Sequence, residues 1–197
     1  MKNLLAFLAV VLLLAGVAMK YANEFPMLDE TVKEKWSQVQ NQYKRRADLI
    51  PNLVKTVQGY ASHEQSVFKE VTEARSKATQ MTIDVSSLDD PAKLKEFENA
   101  QKTLGGALSR LMAITENYPQ LKADQNFLSL QSQLEGTENR IAVARKDYIA
   151  AVKDYNIALR KIPDKFIAAI FYPELKPRAM FEASEAEQSA PDVSFAK

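Results

Sequence analysis

The sequence contains no cysteine. That absence excludes disulfides, thiolate nucleophiles, zinc–sulfur sites and iron–sulfur clusters together. It also excludes an anchor built on a lipidated cysteine. The redox compartment stays open, because a cysteine-free chain suits either side of a membrane. Glycine is scarce, at positions 16, 59, 105, 106 and 136 only. A β-rich domain of this length needs more turn glycines than that. No glycine loop of the kind that cradles phosphates or dinucleotides occurs.

There is one histidine, His63. Di-iron bundles use Glu-x-x-His on two helices, and the residue three before His63 is Tyr60. His63-Glu64 opens like His-Glu-x-x-His, but Val67 stands where the second histidine belongs. A Ser–His–Asp triad draws its parts from anywhere in a chain, yet no glycine-flanked nucleophile turn is present. Paired carboxylates such as Glu135 and Glu138 read as a solvated helix face. No catalytic, cofactor-binding or metal-ligating residue is assigned, and no cofactor or small-molecule substrate is expected. Twenty-six Lys and Arg against 25 Asp and Glu leave a net charge of +1. Nucleic acid is therefore not an expected partner, since phosphate binding needs a net basic face. Lys44-Arg45-Arg46 is a local basic run that reads as salt bridging within a bundle and solubility, the alternative being contact with acidic lipid headgroups or an acidic partner.

What is present is apolar sequence at helical spacing. Leu4 to Met19 carries no charge, with Lys2 before it and Lys20 after it. Sixteen such residues reach about 24 Å as a helix, against the roughly 30 Å of a bilayer core. Extension to Ala22, with Lys20 snorkelling, comes close to a span. A cleaved signal peptide with Gly16 and Ala18 near its cut is the alternative to an uncleaved anchor. Lys/Arg asymmetry leaves the side of the soluble part undecided.

From Phe25 onward, apolar residues recur every three or four positions: Phe25, Leu28, Val32, Trp36, Val39, Tyr43, Ala47, Ile50. The stripe continues to Met81, which predicts one long amphipathic helix over residues 24–82. Pro51 interrupts it and predicts a kink there, or else a reversal of the chain. Residues 82–90 read as a loop. Asp90-Pro91 reads as a cap and first-turn proline of a helix ending near Tyr118. Gly105 and Gly106 lie inside that helix, and close packing against a neighbour is the expected reason. Asp124 caps a last long helix to Ile162, and Pro163 stops it. Phe166 to Tyr172 is a short apolar helix, which either caps the bundle or inserts into a membrane. Residues 173–197 read as an extended or partly disordered tail. Within it Val193 and Phe195 alternate as an added strand would.

The segments are thus an anchor (1–22), a helical bundle (23–163), a short apolar helix (164–172) and a tail (173–197). The fold class is all-α: a transmembrane helix, then an elongated antiparallel up-and-down bundle of three to four long helices, the first kinked at Pro51. On helix lengths of about 88, 42 and 58 Å, the later helices cannot cover all of the first. The stripe Phe25, Leu28, Val32, Trp36, Val39 and Tyr43 would stand bare and need a partner. If the chain reverses at Pro51, the same stripe is buried in a four-helix bundle.

Trp36-Ser37-Gln38-Val39, Lys44-Arg45-Arg46-Ala47-Asp48-Leu49-Ile50-Pro51-Asn52-Leu53-Val54 and Val71-Thr72-Glu73-Ala74-Arg75 resemble the LemA family. So do Tyr118-Pro119-Gln120-Leu121-Lys122-Ala123, Leu134-Glu135-Gly136-Thr137-Glu138-Asn139-Arg140-Ile141-Ala142, Asp154-Tyr155-Asn156, Lys176-Pro177-Arg178 and Phe181-Glu182-Ala183. The likeness runs from about residue 23 over nearly the whole chain. It implies a bacterial protein with one uncleaved N-terminal membrane segment and a helical bundle. It implies no catalytic activity, and membrane organisation as a theme, since a related group acts in forming magnetosome membranes. The expected function is a non-catalytic scaffold in the bacterial inner membrane, bound to the bilayer and to itself or another membrane protein. Motif residues Arg45, Arg46, Asp48, Pro51, Asn52, Glu135, Gly136, Glu138, Asn139 and Arg140 are expected to be structural. Asp48 and Asn52 would satisfy backbone groups freed at Pro51. Arg45, Arg75, Arg110 and Arg140 would pair with Glu73, Glu116, Glu135 and Glu138.

Overall fold

The computed structural model describes residues 2–181. Every regular element among them is helical, and no strand occurs. The elements are α1 (Lys2–Ala22), α2 (Glu24–Gln58), α3 (Gln65–Gln80), a 3-10 turn (Val85–Ser87), α4 (Pro91–Thr115), α5 (Pro119–Lys122), α6 (Gln125–Ala158) and α7 (Asp164–Phe171).

Local chemistry explains most of the boundaries. Asp90 accepts from the amides of Ala92 and Lys93 at 2.9 and 3.3 Å, and Pro91 follows in the first turn. Asp124 caps α6 by accepting from the Phe127 amide at 2.9 Å. Both caps are where the sequence places them. Between α1 and α2 only Asn23 leaves the helix, and its amide still donates to the Met19 carbonyl at 3.1 Å. Pro26 lies four residues beyond Ala22 and has no N–H to give that carbonyl, which accounts for the interruption.

Helix α2 runs through Pro51 without a break and ends at Gly59. The reversal falls at residues 59–64, eight residues later than a turn at Pro51 would place it. From there the chain doubles back. Arg75 reaches Ala47, and Trp36 Nε1 donates to the Ile83 carbonyl at 3.2 Å. Helix α4 then runs beside α3, with Arg110 paired to Glu70. Helix α6 returns antiparallel to α2, as Arg46–Glu138 and Lys161–Glu24 show at its middle and end.

This path buries the stripe expected to stand bare. Phe25, Val32, Trp36 and Val39 are 0% exposed and Tyr43 6%, while Leu28 packs partly buried beside them. The stripe has cover because residues 24–82 form two helices, α2 and α3, laid against each other, and not one. The core has two parts. One gathers Trp36, Tyr43, Phe97, Tyr148, Tyr155 and Phe181. The other gathers Ile50, Leu53, Phe68, Leu104, Leu111 and Phe127.

Residues 173–181 have no regular structure beyond a turn, but they are docked and not loose. The Asn156 amide accepts from the Arg178 N–H at 2.8 Å and donates to the Arg178 carbonyl at 2.9 Å. The Ala179 amide donates to the Leu88 carbonyl at 2.7 Å, and Tyr148 Oη donates to the Ala179 carbonyl at 2.9 Å. The strand-like residues Val193 and Phe195 lie outside the described residues.

Candidate functional site

The motif residues meet at three places. The first is Pro51. Its missing N–H leaves the Ala47 carbonyl, four residues back, without its helical donor. Arg75 of α3 supplies the replacement, with Nε donating to that carbonyl at 2.7 Å. Asp48 and Asn52 are exposed, and their side chains make no hydrogen bond among the described residues. The expectation that they fill the gap at the proline is therefore corrected. Both sit on the solvent side of α2, while the orphaned carbonyl faces α3. Arg45 is exposed too and has no carboxylate partner there.

The second place is a polar layer between the two parts of the core. Arg46 is 4% exposed and lies at the centre. Its Nη1 donates to Glu138 at 3.0 Å and its Nη2 to Gln101 Oε1 at 2.6 Å. Gln101 donates onward to the Ala78 carbonyl at 3.1 Å. The Arg46 guanidinium also stacks over the Tyr43 ring, 5.0 Å from its centroid. The layer thus joins α2, α3, α4 and α6. A buried arginine held by a half-exposed carboxylate and a buried amide serves register better than raw stability.

Other expected pairs form with different partners. Arg110 pairs with Glu70, Arg140 donates to Thr137 Oγ1 at 3.1 Å, and Glu135 accepts from Gln131. Glu73 and Glu116 pair with Lys69 and Lys122. Gly136 lies beside the Arg140 guanidinium, where an added Cβ would sit at an ordinary 3.6 Å. Gly105 and Gly106 are not at a close approach, since a Cβ on either would meet nothing within 4 Å. This corrects the packing expected there.

The third place is the C-terminal clasp. Arg178 Nη2 donates to Asp29 Oδ1 at 2.8 Å, with both side chains largely buried. Burial alone would raise the Asp29 pKa, but hydrogen bonds and charge from Arg178 and Lys33 outweigh it and hold the carboxyl below its usual value. Phe181 lies on Trp36 and Tyr148, with centroids 6.0 and 5.4 Å away, and Arg145 covers its other face at 4.3 Å. Asn156, Arg178 and Phe181 are visible in the sequence as motif residues, but their meeting is not. Periodicity stops at Pro163, and no local signal joins residues 22 to 149 positions apart.

None of these places is a reaction centre of recognisable type. No group of three or more His, Asp or Glu is placed to hold a metal among the described residues. His63 is exposed in the turn at 59–64. Shallow depressions mark the surface of the described residues, two of them near motif or core residues. One, of about 210 Å³, lies by Phe25, Asp29, Lys33 and Tyr172. The other, of about 350 Å³, lies by Gln38, Gln42, Asn139, Arg140, Val143 and Asp147. Val143 is 59% exposed, and Gln42 Oε1 beside it is buried without a donor.

At the opposite extreme of polarity is α1. It is long and apolar enough to cross a membrane, and its side chains are almost all exposed. Helix α7 packs against it. One face of α7 closes the end of the core, with Ala168 buried beside Phe25 and Ala158. Its other face, with Phe166, Ile170 and Phe171, is exposed.

The LemA family model matches residues 35–195. A magnetosome protein MamQ of Paramagnetospirillum magneticum is 30% identical over 182 residues, covering 84% of this chain and 66% of that protein. The magnetosome protein MamQ of Magnetospirillum gryphiswaldense is 28% identical over the same shares. Protein LemA of Metamycoplasma hominis is 25% identical over 172 residues, 87% of this chain and 74% of the relative. This chain thus spans just under two thirds of the length of the MamQ relatives. A family match over residues 35–195, most of the chain, makes this protein a member of the LemA family.

Proposed function

We propose that the protein is a non-catalytic scaffold, held in the bacterial inner membrane by a single pass of α1. Its bundle is presented at the membrane surface to a second copy or to another membrane protein. The observation that carries this reading is the α1–α2 junction. A helix of membrane-spanning length passes into a core helix of the bundle across one residue, Asn23. An enzyme arranges polar groups around a pocket, whereas here the buried polar groups tie helix to helix. Kinship with magnetosome proteins supports a membrane setting.

The Phe25–Tyr43 stripe is no longer available to a partner, because it is core. A surface that remains open to one is the depression at Asn139, Arg140 and Val143, where exposed motif residues surround an exposed valine. The full-length chain is expected to stay with membranes through alkaline carbonate and to leave only with detergent. A chain lacking residues 1–22 is expected to be soluble with native helical circular dichroism. Release of the full-length chain by carbonate alone would sink the reading. Membrane organisation is the second reading, and the exposed apolar face of α7 beside α1 favours it.

A further inference from the structure

We infer that α7 is a second membrane contact, seated in the headgroup layer beside α1 and fixing the tilt of the bundle on the bilayer. The inference rests on the reading of α1 as the membrane-spanning helix. With its 21 residues α1 is about 31 Å long, close to the thickness of a bilayer core. Its C-terminal end then lies at the membrane surface, and α7 packs there.

Helix α7 is two-faced at that level. Asp164 and Ala168, one turn apart, are 1% and 6% exposed against the bundle. Phe166 and Ile170, also one turn apart, are 59% and 73% exposed, with Phe171 at 55%. Ile162, just before the helix, is 75% exposed and extends the same apolar row. Water is a poor neighbour for four such side chains in one place, and their continuity with α1 names the occupant as lipid.

Charge agrees. Lys20 in the last turn of α1, Arg160 shortly before α7 and Lys165 in its first turn are exposed and have no carboxylate partner among the described residues. Lys161 differs, since it bridges Glu24 of α2 at 3.1 Å and Asp164 of α7 at 3.6 Å. That bridge holds α7 to the helix junction. The three free cations suit anionic headgroups, and their long stems allow them to reach up from an apolar row.

The absence of cysteine makes the test direct. Spin labels are placed on single cysteines in the full-length chain (F166C, I170C, V143C or L8C), reconstituted in mixed phosphatidylglycerol–phosphatidylcholine vesicles. Labels at 166 and 170 are expected to favour oxygen over a water-soluble nickel chelate, as the label at 8 does. The label at 143 should favour the chelate. The expected depth at 166 decreases when R160E and K165E are added. Chelate access at 166 and 170 equal to that at 143 overturns the inference while α1 remains a span. Labels at 166 and 170 shielded from both reagents indicate protein contact and also overturn it. Chelate access at position 8 instead overturns the reading of α1 itself.

Discussion

Pro51 and Arg75 are 24 positions apart in sequence yet act as one unit. The proline removes a donor from α2, and the arginine restores one from α3. Loss of a partner to a buried carbonyl costs about 1–3 kcal/mol. Arg75→Ala is therefore expected to destabilise by about 2 kcal/mol in the native background. In a Pro51→Ala background the alanine N–H can reach the Ala47 carbonyl, so the same change should cost clearly less. A double-mutant cycle by chemical denaturation measures this, and additive effects would show the two residues to be independent. Gly105 and Gly106 make the opposite case. Both are helical and face open space. Alanine at either is expected to stabilise by about 0.5–1 kcal/mol, read as a raised denaturation midpoint with unchanged slope. A loss of stability would mean that something packs there after all.

At the scale of the element, the caps of α4 and α6 were legible because a cap is local chemistry. The apolar stripes were legible because periodicity is local too. The break at 59–64 was not. Proline is the stronger local signal, and what rescues it is an arginine on another helix. The stripe from Phe25 to Tyr43 is legible as apolar, bare if the helix runs on and buried if the chain folds back; the chain folds back, at 59–64, and buries it. Its cover includes the segment 178–181, which has no period of its own. The motif positions were found as a group, but their pairings depend on geometry between helices. The clasp carries a pH signature. With Asp29 held below its usual pKa, the unfolded chain binds a proton more readily than the folded one, so stability rises with pH in that window. The contribution is complete above the ordinary aspartate value of about 3.9 and is lost as pH falls through the lowered folded value. Urea midpoints below about pH 4 should therefore decline less steeply in Asp29→Asn, which has no such group to protonate. Equal slopes would separate Asp29 from the clasp.

For the whole molecule, the Arg46–Gln101–Glu138 layer lies between two helical cores with different bonds to the sequence. The part around Leu53, Phe68 and Leu111 is built within residues 50–134. The part around Trp36 and Tyr148 needs both ends of the chain, from Leu28 to Phe181. Phe181→Ala is expected to cost about 3–5 kcal/mol by removing a buried ring. Its effect should be uneven. Hydrogen exchange is expected to quicken at Trp36 and Tyr148 while Val54 and Leu108 keep their protection. Uniform loss of protection would mean that the polar layer transmits cooperativity and does not divide it.

The clasp also sets an order of events during synthesis. Residues 50–134 can associate as soon as they leave the ribosome, since all their partners are near in sequence. Trp36, Val39 and Tyr43 must wait for Tyr148, Arg178 and Phe181, which are made more than a hundred residues later. With α1 engaged by the membrane as proposed, the newborn chain shows an aromatic stripe at the bilayer surface until residues 178–181 arrive. The need for company that helix lengths imply for the finished protein belongs instead to the unfinished one.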